Sequence, residues 1–171
     1  DPTPLSNPLQ DNKYNNVTDL KNNLFGSFSA TLKPFKWLSF SSTNTLTLTN
    51  VNTNDYLDSR TYSGNHSRNE MSNGVLKVDD ERSWTFLTSN ILRLQHSFGE
   101  HNLSGLVGQE WYERHTRSSH IEMYDQMIAG ERNVGGFSKQ GDKTNPAVIP
   151  TGAERESGSF SVFSEVNYNY A

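Results

Sequence analysis

The chain has 171 residues, of which 32% are hydrophobic, and a formal net charge of −4. That length allows one domain, but with a mean hydropathy of −0.76 the apolar supply for a closed core is poor. The acidic balance leaves no basic footprint and argues against nucleic acid as a partner. The lack of cysteine excludes disulfides and thiolate metal sites.

No apolar run approaches the ~20 residues of a membrane-spanning helix. The start, Asp1-Pro2-Thr3-Pro4, has neither the charged nor the apolar part of a signal peptide; a mature fragment or a protein that is not exported is expected. Residues 1–20 hold three prolines among Asn and Asp with no periodic apolar pattern, which predicts a loop.

Near 22–33 the text alternates: Leu24, Gly26, Phe28, Ala30 and Leu32 fall on one face, and Phe25, Ser27, Ser29, Thr31 and Lys33 on the other. This is the first predicted strand. Pro34-Phe35-Lys36 ends it, because proline brings no ladder donor. Residues 37–50 restore the alternation, with Leu38, Phe40, Leu46 and Leu48 opposite a row of Ser and Thr that suits a strand.

Residues 51–82 carry polar residues without period, apart from Val75-Leu76-Lys77-Val78, and are expected to be a long loop. Two alternating runs, 83–97 and 102–114, then flank Phe98-Gly99-Glu100-His101-Asn102 and predict a hairpin. In the second run Leu103, Gly105, Val107, Gln109 and Trp111 share a face. Both runs exceed the usual strand of soluble sheets.

Residues 115–156 contain Asn145-Pro146, Ile149-Pro150 and scattered glycines and are expected to be a second long loop. Inside it, Ser119 and Glu122 match a capping box, followed by Ile121, Tyr124, Met127 and Ile128 and a stop at Gly130. A short helix is predicted there. Residues 157–171 alternate Phe160, Val162, Val166, Tyr168 and Tyr170 with Ser161, Phe163, Glu165, Asn167 and Asn169, a fifth strand.

Short breaks therefore alternate with long ones. Transmembrane barrels have short periplasmic turns, long external loops and aromatic girdles, and the aromatic content of 11% suits such girdles, as it would a soluble β-sandwich. The predicted fold is all-β: an antiparallel up-and-down meander of about five long strands, part of a larger transmembrane β-barrel, with two long loops. Leu38, Phe40, Leu103, Val107, Val166 and Tyr168 are expected to face lipid, and Lys33, Arg93, Glu110 and Glu165 the lumen. A charge turned to lipid at mid-membrane costs roughly 2–4 kcal/mol, which enforces the alternation.

The order Asn7-Pro8, Gly26 to Leu38 ending in Pro34-Phe35-Lys36-Trp37-Leu38, Phe98-Gly99-Glu100-His101-Asn102-Leu103-Ser104, Gly108-Gln109-Glu110 and Val166-Asn167-Tyr168-Asn169-Tyr170 resembles SusC/RagA-like TonB-dependent outer-membrane transporters of Bacteroidetes. The resemblance spans nearly the whole chain. It implies a large barrel around a plug, a SusD-like lipoprotein over the external mouth, energy from TonB-ExbB-ExbD through the plug, a setting in outer-membrane lipid, and import of an oligosaccharide or peptide ligand. Five strands cannot be that barrel, and no plug, TonB box or aromatic-ended last strand is recognised, so an internal piece of the wall is expected. Alone, such a piece would have two unpaired edges and an apolar face, and would aggregate.

No covalent chemistry is expected. The histidines His66, His96, His101, His115 and His120 lack metal-ligand spacing, and Asp79-Asp80-Glu81 lacks the spacing of a calcium loop. The serines lack a nucleophile elbow. Glu110 and Glu165 could in principle form a glycosidase pair, but ion pairing with Arg93 or hydration accounts for them more simply. Neither a catalytic residue nor a cofactor is assigned. The loop aromatics Tyr56, Tyr62, Tyr124 and Phe137 are the candidates for contact with ligand or partner, the alternative being that they pack the loops on themselves. A soluble all-β carbohydrate-binding or adhesion module is the competing function, and it would require the apolar faces to meet in a dry core.

Overall fold

The computed structural model describes residues 7–66, 73–140 and 150–170. They form α1 (Pro8–Tyr14), β1 (Asn16–Phe35), β2 (Leu38–Leu57), α2 (Tyr62–His66), β3 (Val75–Phe98), β4 (His101–Gln126), a 3-10 turn (Val134–Gly136), β5 (Phe137–Gln140) and β6 (Thr151–Tyr170). The strands make one sheet in the order β1-β2-β3-β4-β5, with β6 also paired to β4. The short β5 takes only the end of β4, pairing Met123 with Gln140 and Gln126 with Phe137.

Side-chain contacts fix which positions share a face. The hydroxyls of Ser27 and Thr45, Ser29 and Thr43, and Thr31 and Ser41 meet at 3.2, 3.1 and 3.2 Å, so the odd positions of β1 and β2 lie together. Ser89 Oγ donates to Glu110 Oε1 at 3.3 Å and Ser97 Oγ to Asn102 Oδ1 at 2.5 Å, which joins the odd positions of β3 to the even positions of β4. In the β3–β4 turn, Gly99 has φ 62°, a left-handed conformation that glycine adopts without steric cost and that fits the twist of a tight hairpin.

The chain divides into two compact units. The first comprises 1–22, 50–82 and 117–154, the second 23–49, 83–116 and 155–171. The apolar core belongs to the first, where Tyr56, Leu76, Met123 and Phe137 pack together with Val78 and Ile121 against them. In the second, the parts of β1 and β6 that belong to it are exposed throughout.

Several expectations are corrected. The hairpin and the order of the long strands hold, but β2 runs on to Leu57, β3 starts at Val75, β4 continues to Gln126 and β6 begins at Thr151, so both presumed loops are partly strand. Of the helix expected from Ser119 to Gly130, residues 119–126 are the end of β4 and the rest is bend and turn. Its residues pair across to β3 instead: His120 Nδ1 lies 2.6 Å from Asp79 Oδ1, and Glu122 lies 3.6 Å from Lys77 Nζ. Ile121 and Met123 meanwhile join the core, so cross-strand contacts override the local helical pattern.

The N-terminal loop contains a helix and the start of a strand. Asn7 caps α1 by accepting from Leu9 N at 3.1 Å, and Pro8 occupies the first turn, where a missing N–H costs nothing. The predicted turns at Asn145-Pro146 and at Ile149 fall outside the described residues.

Candidate functional site

The strands of the second unit present two faces of opposite character. One carries Leu24, Phe28 and Leu32 of β1, Leu38, Phe40, Leu46 and Leu48 of β2, Leu92 of β3, Val107 and Trp111 of β4, and Phe160, Val162, Val166 and Tyr168 of β6. Most are well exposed, Phe28 at 69% and Val166 at 75%. The other face carries the hydroxyl pairs described above, together with Lys33, Arg93, Glu110 and Glu165.

Among the described side chains of this unit none is buried. A soluble sandwich would cover its apolar face with a second sheet; this sheet leaves it open.

Aromatic rows lie at both ends of the apolar stretch. At the short-turn end, Phe98 and His101 have ring centroids 6.1 Å apart, and His101 stacks on Tyr168 at 5.9 Å while its Nδ1 lies 2.6 Å from the Tyr168 hydroxyl. At the other end Trp84 stacks on His115 at 6.0 Å. Trp84 and Phe98 are fourteen positions apart, as are His101 and His115. At ~3.3 Å per residue and a tilt of ~40°, the rows stand roughly 35 Å apart, on the scale of a bilayer's two interfaces.

The first unit is fastened by a polar node at the end of β2. Asp58, fully buried, accepts from Arg60 Nε and Nη2, both at 2.8 Å, and from the Tyr56 hydroxyl at 2.8 Å. These bonds, led by those from Arg60, hold its carboxyl far below the usual range, against the opposing effect of burial. Asn15 Oδ1 accepts from Asp58 N at 2.9 Å. The Gln126 side chain bonds the Tyr56 hydroxyl and accepts from Ser59 N at 3.0 Å, and the Arg60 guanidinium lies over the Tyr14 ring at 4.1 Å.

The four candidate loop aromatics have different fates. Tyr56 and Phe137 are buried and meet edge to face at 6.4 Å. Tyr124 is half-buried, and Tyr62, in α2, is exposed. The structure therefore does not gather the four into one surface. Sequence reasoning missed the Asp58–Arg60 node; its signal was the Asp-Ser-Arg spacing, a common local turn that points to no particular role.

His66 is described in backbone only. His96 lies edge-on to Trp37 at 6.3 Å. Asp79 faces His120 across the strands and Asp80 lies 3.4 Å from Arg82, so two of the three carboxylates of the acidic run have side-chain partners. Glu165 accepts from Asn167 Nδ2 at 2.6 Å, and Glu110 accepts from Ser89. Glu165 and Arg93 line one small cavity with Gln95, Ser104, Leu106 and Asn167.

No protein-family model and no curated protein matches the chain. Solved structures do. The structure of the RagAB peptide transporter matches with a TM-score of 0.75 at 16% identity, over 92% of this chain and 17% of that one. The RagAB peptide importer in its open-open state gives 0.70 at 18% identity, and in its closed-closed state 0.69 at 17%.

The sheet, an antiparallel meander, is similar in fold to a segment of the RagAB β-barrel. The chain spans about a sixth of the length of the RagAB chains it matches. No helix among the described residues is long and apolar enough to cross a membrane, which says nothing of crossing by strands.

Proposed function

We propose that the chain is a wall and external-loop segment of a SusC-like TonB-dependent transporter that imports glycans or peptides across the outer membrane. The carrying observation is the coreless sheet of the second unit. Its apolar face, with Phe28 69% and Val166 75% exposed, is bounded by aromatic rows at a bilayer's spacing and suits lipid, while the opposite face is polar. The match to RagAB over 92% of the chain supports the same reading, and the soluble binding module lacks the dry core it requires.

In this role the segment does no covalent chemistry. The ends of the strands in the first unit face outward, where a SusD-like lipoprotein lids the mouth. Of the four candidate aromatics, Tyr62 in α2 is the exposed one and is the one proposed to touch ligand or partner, while Tyr56 and Phe137 pack within the first unit. TonB-ExbB-ExbD acts through a plug that other parts of the protein supply. The test is fractionation of cells expressing the intact protein, followed by extraction of the membranes. Release only by detergent supports the reading; recovery as a soluble monomer sinks it.

A further inference from the structure

The aromatic row at the short-turn end of the second unit runs without a break from β1 to β6. Phe35 stacks on Trp37 at 5.2 Å, Trp37 meets His96 edge-on at 6.3 Å, and His96 lies 5.4 Å from Phe98. His101 stands between Phe98 and Tyr168. Gln95 N donates to Trp37 O at 2.8 Å, which seats the β1–β2 turn beside β3. Burial of rings alone would be served by phenylalanine throughout, yet two of these positions hold histidine.

The donors of the row are not used up within it. A neutral imidazole donates from one nitrogen and accepts at the other. His101 Nδ1 and the Tyr168 hydroxyl lie 2.6 Å apart. When the hydroxyl donates, the imidazole N–H is on Nε2 and is left over; when Nδ1 donates, the hydroxyl proton is left over. Among the described residues nothing accepts from His96 or from the Trp37 indole. Tyr170, in contrast, is hydrogen-bonded to Glu100, which engages the carboxylate of the β3–β4 turn. Lys36 adds a positive charge in the β1–β2 turn, next to Trp37.

Rings at a membrane interface keep an apolar body in hydrocarbon and turn a polar tip toward water and headgroups. Here the tips are donors, with a cation beside them, at the margin of an apolar face. We infer that the row binds the phosphate of a phospholipid headgroup. His96, the His101–Tyr168 pair and the Trp37 indole donate to it, and Lys36 supplies the opposite charge. A phosphodiester offers charged acceptor oxygens to such donors, and its acyl chains lie along Leu92 and Val166 beyond the row. The inference rests on the transporter reading, which puts this end of the sheet at a bilayer interface, and adds the class of lipid held there.

The experiment uses the intact protein in a maltoside detergent, whose headgroup carries no phosphate. Phosphatidylglycerol, diacylglycerol with the same chains and inorganic phosphate are added, and binding is read by native mass spectrometry. Diacylglycerol is expected to bind about tenfold more weakly than phosphatidylglycerol. His101 and Tyr168 must be changed together, because removing either one frees the donor of the other. The triple variant His96→Phe, His101→Phe, Tyr168→Phe keeps every ring and is expected to bind phosphatidylglycerol about tenfold more weakly than the wild type. His115→Phe, in the opposite row, is expected to bind as the wild type does.

Wild-type binding by the triple variant overturns the inference, as does an equal loss in His115→Phe. Diacylglycerol binding as tightly as phosphatidylglycerol overturns it without recourse to any variant. Displacement of phosphatidylglycerol by an equal concentration of inorganic phosphate overturns it in favour of a site for free anions. Failure of the transporter reading is seen separately, as recovery of the protein from cells without detergent.

Discussion

The ring of Phe163 on β6 lies against the backbone of Gly108 on β4, in space that a Cβ at position 108 would occupy. Gly108 is the buried position of its stretch of β4, and the aromatic ring shields backbone that the glycine would otherwise leave bare. Aromatic side chains laid over strand glycines are a known way of fixing register. Both residues sit on the polar face.

Gly108→Ala therefore forces the ring aside, with an expected cost of about 1–3 kcal/mol. Phe163→Ala removes the obstacle. The two changes together are expected to cost less than the sum of the single ones, because they share one contact. Urea unfolding of the intact protein in lipid vesicles measures all three; strict additivity would show that the ring and the glycine are independent.

The acid limb of stability tests the Asp58 node. Its folded carboxyl titrates well below the ordinary 3.8, so the unfolded chain binds the proton first as pH falls. The stabilisation is complete above about pH 5, begins to fade as pH drops through 4 and continues to fall toward the folded value. Asp58→Asn is expected to cost about 2 kcal/mol at neutral pH, with part of the Arg60 pair discounted because that side chain is 44% exposed. Hydrogen exchange of the Asp58–Gly64 amides, compared between variant and wild type at each pH, should show the difference shrinking below pH 4. A difference constant from pH 7 to pH 3 would exclude the node as an acid-sensitive fastening.

How much of this could be read from the residues depends on which forces act locally. A period of two marks the strands of the second unit because one face is apolar and the other hydroxyl-rich, and nothing else competes for those side chains. The same rule fails at 119–126. There His120 and Glu122 are held by partners more than forty residues away, so their role is written in β3 and not in their own neighbourhood. The helix at Pro8–Tyr14 was hidden for the opposite reason: its Asn-Pro start is a local signal, but prolines in a polar stretch suggest a loop. The ligand candidates depended on burial, which an isolated tyrosine or phenylalanine does not encode; Tyr56 and Phe137 lie inside, and Tyr62 outside.

The two faces should differ in their tolerance of charge. Val107 lies near the middle of the apolar stretch between the aromatic rows, and Ser29 lies on the polar face among hydroxyls. Val107→Arg is expected to cost roughly 2–4 kcal/mol in a bilayer, while Ser29→Arg should cost well under half as much. Folding free energies in vesicles of the intact protein decide this. Equal costs at the two positions would mean that the faces have been assigned to the wrong environments.

The behaviour of residues 1–171 alone follows from the edges of the sheet. β1 and β6 are each 20 residues long and, apart from half-buried Asn16, exposed along their lengths, so each offers a row of backbone donors and acceptors to another strand. Soluble proteins protect such edges with charge, proline or bulges. Here the edge strands carry some charge and, in β1, Pro34, but they adjoin leucine, phenylalanine and valine on a face that no second layer covers among the described residues. Pairing of edges and burial of the apolar face then act together, and both are satisfied by association. In plain buffer the isolated chain is expected to elute from size exclusion as aggregate, and in detergent as a smaller species, the micelle covering the apolar face while the edges remain reactive. A monomer in buffer that melts cooperatively by circular dichroism would require a core that the second unit does not contain, and would return the soluble binding module to first place.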